Sequence, residues 1–182
     1  MDFLSKRYKT KLNYSILIRE AVAQDAEQLL ALKLEYIALS NTIPLFDYEY
    51  ANTIEEEAEH IQNFHKHPNS LLLVAEYNGE LIGNIDLTAS WRKKMQHTAM
   101  IGMGIHTKWH NQGIGTLLIQ NVLEWSKEKS SLSVIWLEVY ASNLTGIALY
   151  KKMGFKINGS IPKFFLEVGK YIDKTCMHIQ IK

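Results

Sequence analysis

The order of local patterns along this chain predicts one α/β domain built on a mixed sheet. Three observations carry that prediction. Apolar runs of strand length alternate with amphipathic stretches, in the order strand, helix, helix, hairpin, strand, helix, strand, helix, hairpin. The 182 residues suffice for one full core and contain no internal repeat or change of composition. Finally, residues 105–118 (IHTKWHNQGIGTLL) pass from an apolar run through a polar, Gly-bearing turn into a long amphipathic helix.

Taken in order, residues 15–19 (SILIR) predict the first strand. Residues 1–13 are basic and lack the apolar stretch of a signal peptide, so they read as a short loose extension, leaving 14–182 as the domain. Asp25 stands where a helix cap is expected, and Leu29, Leu30, Leu32, Leu34 and Ile37 then form an apolar stripe to about Leu39. Residues 40–52 carry Pro44, Phe46, Tyr48 and Tyr50 and read as a loop, whose aromatics either wall a binding site or pack the loop down. Thr53 with Glu56 forms a capping box for a second helix that stops before Pro68. Its carboxylates Glu55, Glu56, Glu57 and Glu59 read as a solvated face, with recruitment of a cationic amine as the alternative.

A hairpin follows: residues 71–77 (LLLVAEY), the turn pair Asn78-Gly79, and residues 81–87. Residues 91–96 form a polar linker, and residues 97–106 are apolar enough to predict a strand covered on both faces. Over residues 113–129, Ile114, Leu117, Leu118, Val122 and Trp125 share one helix face. Residues 132–140 predict a buried strand, and residues 143–153 a helix stopped by Gly154. The last strands, 155–161 and 171–181, are joined through a Pro162 segment and a Val168-Gly169 turn.

Composition narrows the function. A net charge of +1 gives no general attraction for nucleic acid or an anionic membrane, and no run approaches the ~18 apolar residues of a membrane span. One cysteine, Cys176, precludes an internal disulfide and fits a reducing compartment, so the chain reads as cytoplasmic. His60, His65 and His67 lack a ligand partner set and read as exposed polar residues, so no metal is expected.

Gly113 and Gly115 admit two readings. A strand, a glycine turn and a helix start together bind phosphate, because first-turn N–H groups lack helical partners and face the positive end of the macrodipole. The glycines serve equally if they only let the helix pack closely on the sheet.

The loop Gln112-Gly113-Ile114-Gly115, the strand end Ala141-Ser142-Asn143, and the segment Ile147 to Phe155 (IALYKKMGF) together resemble the GCN5-related N-acetyltransferase family. The resemblance extends from about Tyr14 to Ile181. It implies a mixed, mostly antiparallel central sheet flanked by helices, with splayed central strands, and acetyl-CoA as cosubstrate. By the same resemblance His110, Asn111, Gln112, Gly113, Ile114, Gly115 and Thr116 wrap the pyrophosphate. Met103, Gly104 and Ile105 align the pantetheine arm through their backbone, and Asn143 hydrogen-bonds it. Tyr150 is implied as the general acid for the departing thiolate, a role that a phenol can fill.

Three positions depart from the family pattern. His110 and Asn111 replace the usual Arg or Gln and Gly, and Met100 stands where many relatives carry a basic Glu. Candidates for the base are then Glu138, Asp86, His97 and His106, or a water chain. The resemblance implies transfer to the primary amine of an amino acid, a polyamine-like molecule or a protein N-terminus, and a homodimer. A non-catalytic acyl-CoA-binding sensor is the alternative, supported by Met100. The aromatic loop 46–50 and residues 162–165 are where acceptor contacts are expected.

Overall fold

The chain opens with strands β1 (Lys6–Lys9) and β2 (Ser15–Glu20), then helices α1 (Ala26–Leu39) and α2 (Ile54–Lys66). Next come β3 (Leu71–Tyr77), β4 (Glu80–Ala89), β5 (Thr98–Ile105), α3 (Ile114–Lys129) and β6 (Val134–Tyr140). Helix α4 (Leu144–Lys152) and the long hairpin β7 (Lys156–Glu167) and β8 (Lys170–Gln180) complete the computed structural model, which describes residues 3–182. The strands form one eight-stranded sheet in the order β1-β2-β3-β4-β5-β6-β8-β7. Every neighbouring pair is antiparallel except β5 with β6.

Alternation along β3 explains the two layers. Leu71, Leu73 and Ala75 join a core with Ile114, Leu118, Val122 and Trp125 of α3, whereas Leu72 and Val74 join Leu29, Leu32, Ile61 and Phe64 of α1 and α2. Each fully buried leucine removes enough apolar surface from water to contribute about 2 kcal/mol. Asn78 and Gly79 both take positive φ, 50° and 87°, as the expected tight hairpin turn requires. A bulge beside Ala75 and Glu76 then shifts the register, so Ile82 and Ile85, three residues apart, enter the same core.

Several expectations are corrected. The basic segment expected to be loose contains β1, which pairs with β2 over Lys6↔Ile18 to Lys9↔Ser15. Tyr8 fastens it by donating from its hydroxyl to Asn121 Oδ1 at 3.0 Å. Asp25 does not cap α1; its carboxylate accepts from the Arg19 guanidinium at 2.6 and 2.8 Å, a stronger bond than a neutral cap. β7 does not stop at Pro162 but runs on to Glu167, a bulge between Ile161 and Phe165 absorbing the residue that cannot donate. Glu57 leaves the solvated face altogether. It is fully buried and bridges Lys33 Nζ at 2.6 Å and the Tyr50 hydroxyl at 2.8 Å.

Candidate active site

The site begins where β5 and β6 part. Their parallel ladder joins only residues 98–100 to residues 134–136, while on its other edge β5 stays paired with β4 as far as Ile105↔Gly83. From residue 101 onward the β6 side of β5 is therefore a strand edge whose peptide groups face a gap. Met103 and Ile105 turn their side chains into the α3 core, leaving Gly104 facing α1. The backbone of Met103, Gly104 and Ile105 thus borders the gap.

That gap leads to the start of α3. Gly113 is the residue before the helix and has φ +89°, a conformation that suits glycine, and no side chain caps the helix. No atom stands within 4 Å of where its Cβ would be, so the space on that side of the helix start is clear. Gly115 has the other reading. A Cβ there would meet Leu149 at 3.0 Å and Ile105 and Met103 at 3.3 Å, so this glycine lets α3 seat against β5 and α4. Close packing is thus the role seen at Gly115, while Gly113 is surrounded by open space.

Around them, Ile114 is buried in the core and offers only its backbone, and Thr116 is half-buried. Asn111 is exposed with φ +62°. Gln112 Nε2 reaches back to the Lys108 carbonyl at 3.5 Å. His110 Nε2 lies 3.0 Å from the Ile105 carbonyl oxygen, which only accepts, so this nitrogen carries the proton and ties the loop to β5. Asn143 Oδ1 accepts from the Gly146 N–H at 2.8 Å, making it the cap of α4 and leaving its Nδ2 to donate elsewhere.

Tyr150, two turns into α4, is half-buried and packs edge-on against Phe155 at 5.8 Å. Burial, and then the negative charge of Asp86, push its phenol up to about 12, so it holds its proton at neutral pH. Asp86 sits on β4 opposite Gly102, on the α1 side of the sheet. A Cβ on Gly102 would come within 2.7 Å of Asp86 Oδ1, so the glycine makes the seat for this carboxylate. Burial pushes the Asp86 carboxyl up to about 6, with the Lys33 charge and a 3.4 Å bond from Thr88 opposing the rise. Two residues along, the Tyr36 ring lies directly over Gly104, where a Cβ would stand 2.1 Å from Cε1.

The other base candidates have different surroundings. Glu138 Oε1 accepts from Lys174 Nζ at 2.8 Å across β6 and β8. His97 is exposed, and His106 caps the turn after β5 through its Nδ1. Met100 is 38% exposed and contributes no proton acceptor. Sequence reasoning left Asp86 undistinguished and missed Tyr36 and the Lys33–Glu57–Tyr50 cluster. The signal available was Gly102-x-Gly104 within a strand, which marks close approach of other groups on one face.

Beside this centre, a cavity of about 430 Å³ lies between the end of α1, the loop after it, and β6 and β7. Ile37, Phe46, Tyr140, Phe164, Phe165 and Glu167 are among its walls, bringing together the two aromatic segments expected to meet an acceptor. Lys33, Glu57, Tyr50 and Asn52 fix the loop's far end through one buried cluster of hydrogen bonds. Among the described residues no group of three or more His, Cys, Asp or Glu side chains is arranged to hold a metal ion, and no helix is long and apolar enough to cross a membrane.

Residues 38–155 match the model of the acetyltransferase (GNAT) family. An L-amino acid N-acetyltransferase of Escherichia coli (strain K12) is 28% identical over 132 residues, covering 70% of this chain and 82% of that protein. An N-alpha-acetyltransferase of Sulfurisphaera tokodaii is 29% identical over 147 residues, covering 76% and 79%. The crystal structure of a GNAT-family acetyltransferase from Streptococcus pneumoniae superposes with a TM-score of 0.88 at 30% identity, covering 91% of this chain and 99% of that one.

Proposed function

The chain belongs to the acetyltransferase (GNAT) family, and on that premise we propose that it transfers an acetyl group from acetyl-CoA to a primary amine by direct attack, with Asp86 as base and Tyr150 as acid. The observation that carries the choice of base is the Asp86 carboxylate seated against Gly102, on the α1 side of β5. When bound, acetyl-CoA supplies the thioester: a carbonyl carbon open to attack and a sulfur that leaves as thiolate.

The protein's share is binding and proton management. N–H groups of the first turn of α3, opened by Gly113, receive the pyrophosphate. Backbone groups of residues 103–105 pair with an extended arm as a further strand would, and a preorganised N–H there meets oxyanion charge. Asn143 Nδ2 donates to the same arm. Asp86 Oδ1 or Oδ2 takes the proton of the incoming ammonium, a task suited to a carboxyl raised to about 6. Protonating Asp86 removes the charge that weakens Tyr150 as an acid, so the phenol gives up its proton more readily once the amine has lost its own. The two steps are coupled through one carboxylate.

Glu138, with its Lys174 partner, is better suited to holding β6 and β8 in register than to taking a proton. The acceptor is a small amine, an amino acid or a protein N-terminus, the last two being the classes to which the related enzymes' names point. Thiol release from acetyl-CoA against a panel of polyamines, amino acids and short peptides tests the activity. Release with one class is the expected result. Tight acetyl-CoA binding without release for any acceptor favours the sensor reading that Met100 suggested.

A further inference from the structure

We propose that His110 is a positioning residue and not a ligand of the phosphates: its imidazole is a strut that holds the turn before α3 against the strand edge that receives the cofactor arm. The inference rests on the acetyl-CoA-binding reading and reassigns one residue of that site. Arm and nucleotide, the two halves of the cofactor, meet different elements of the protein, and His110 ties those elements together.

The direction of each peptide group on β5 follows from its ladder with β4. His106 N–H donates to the Ile82 carbonyl at 2.9 Å, so residues 106 and 82 form a hydrogen-bonded pair. Such pairs alternate along an antiparallel ladder, and the register makes Gly104 with Asn84 and Gly102 with Asp86 the next two. The N–H and C=O groups of Met103 and Ile105 therefore point away from β4, into the gap that opens where the parallel ladder with β6 ends at Met100. One of these gap-facing groups, the Ile105 carbonyl, is taken by His110 Nε2 at 3.0 Å.

Both donors of the neutral His110 are thereby spent inside the protein. Its Nε2–H goes to Ile105, and its backbone N–H goes to the Thr107 carbonyl at 3.2 Å. What is left on the neutral ring is Nδ1, whose lone pair accepts and so repels an anion. A phosphate ligand needs a free donor, and this residue keeps none. Its tie has a different use. Only Asn111, Gln112 and Gly113 separate His110 from Ile114, the first residue of α3. The anchorage to Ile105 thus fixes where the helix start stands relative to the strand edge. An arm paired to that edge then delivers the pyrophosphate to a loop that is already ordered, and the two halves of the cofactor reinforce each other.

Calorimetry with coenzyme A and with its nucleotide half, 3′,5′-ADP, tests the proposal at about pH 8, where an ordinary imidazole is neutral. His110→Ala weakens coenzyme A about tenfold, the upper worth of one lost hydrogen bond, and leaves 3′,5′-ADP within about twofold. His110→Gln, whose amide nitrogen stands where Nε2 stood, restores most of the loss. In the cofactor-free parent, nitrogen NMR spectra of the ring place the proton on Nε2 and leave Nδ1 bare. An equal loss of coenzyme A and 3′,5′-ADP in His110→Ala overturns the proposal in favour of a phosphate contact, and so does a ring proton on Nδ1 alone. Coenzyme A affinity that alanine leaves unchanged, or that glutamine does not restore, overturns it too. Failure of the parent to bind coenzyme A at all overturns the acetyl-CoA-binding reading instead.

Discussion

Replacing Asp86 by Asn separates stability from activity in one variant. The carboxyl is raised from an ordinary 3.8 to about 6, and at about 1.4 kcal/mol per tenfold change in proton affinity its ionised form costs the fold at most about 3 kcal/mol. Between those two pH values the folded chain holds more protons than the unfolded chain, so stability falls as pH rises through the window. The cost is complete above about 6 and absent below about 3.8. Asparagine keeps the shape and discards the charge, so the variant melts higher than the parent at pH 7 and alike near pH 3.5. Its kcat/KM falls by about a hundredfold to ten-thousandfold, the usual worth of a general base. The parent's rate profile bends downward below about pH 6, and that limb is missing from the variant. The assay is thiol release across pH beside thermal melts in the same buffers. A variant that keeps kcat/KM within a few-fold of the parent, with its acid limb intact, refutes the assignment of Asp86 as base. One that melts lower at pH 7 refutes the electrostatic argument.

Tyr150→Phe lowers kcat by about a hundredfold or more while leaving the dissociation constant for acetyl-CoA unchanged by calorimetry, since the phenol acts on the proton and not on binding. Gly104→Ala drives a methyl into the Tyr36 ring and costs about 1–3 kcal/mol of stability. The companion change Tyr36→Ala makes that loss less than additive in denaturant melts, because the clash is gone. Glu57→Ala leaves the Lys33 ammonium buried without its partner and costs about 3–5 kcal/mol, read as a fall in melting temperature.

Elements governed by local chemistry were legible in the sequence. Asn78-Gly79 dictates its own turn, and Thr53 with Glu56 closes the capping box that starts α2. Tyr150 and Asn143 were singled out by the resemblance of residues 141–155 to the acetyltransferase family, and the Gly113 turn by a glycine placed between an apolar strand and an amphipathic helix. What stayed hidden depended on partners distant in sequence. Glu57 looks like Glu56 and Glu59, and only Lys33, 24 residues earlier, makes it a buried staple. Asp86 differs from any surface aspartate through Gly102, sixteen positions on along the next strand. β1 was missed because Lys6, Arg7, Tyr8 and Lys9 show no alternation of apolar residues, though an edge strand needs only its backbone and one fastening side chain.

That edge strand also governs how the protein behaves in concentrated solution. An unpaired margin of a sheet invites other chains to extend it, and β1 presents three cations in four residues to any that approach. At the opposite margin, β7 carries Lys156, Pro162 and Lys163 and is broken by two bulges. Cutting the chain at Tyr14, where composition alone would begin the domain, strips the first of these guards. The new margin would be β2, Ser15–Glu20, with the fully buried Ile16 and Ile18 and no charge before Arg19. A chain shortened there would carry every residue of the reaction centre and still tend to self-associate through its sheet.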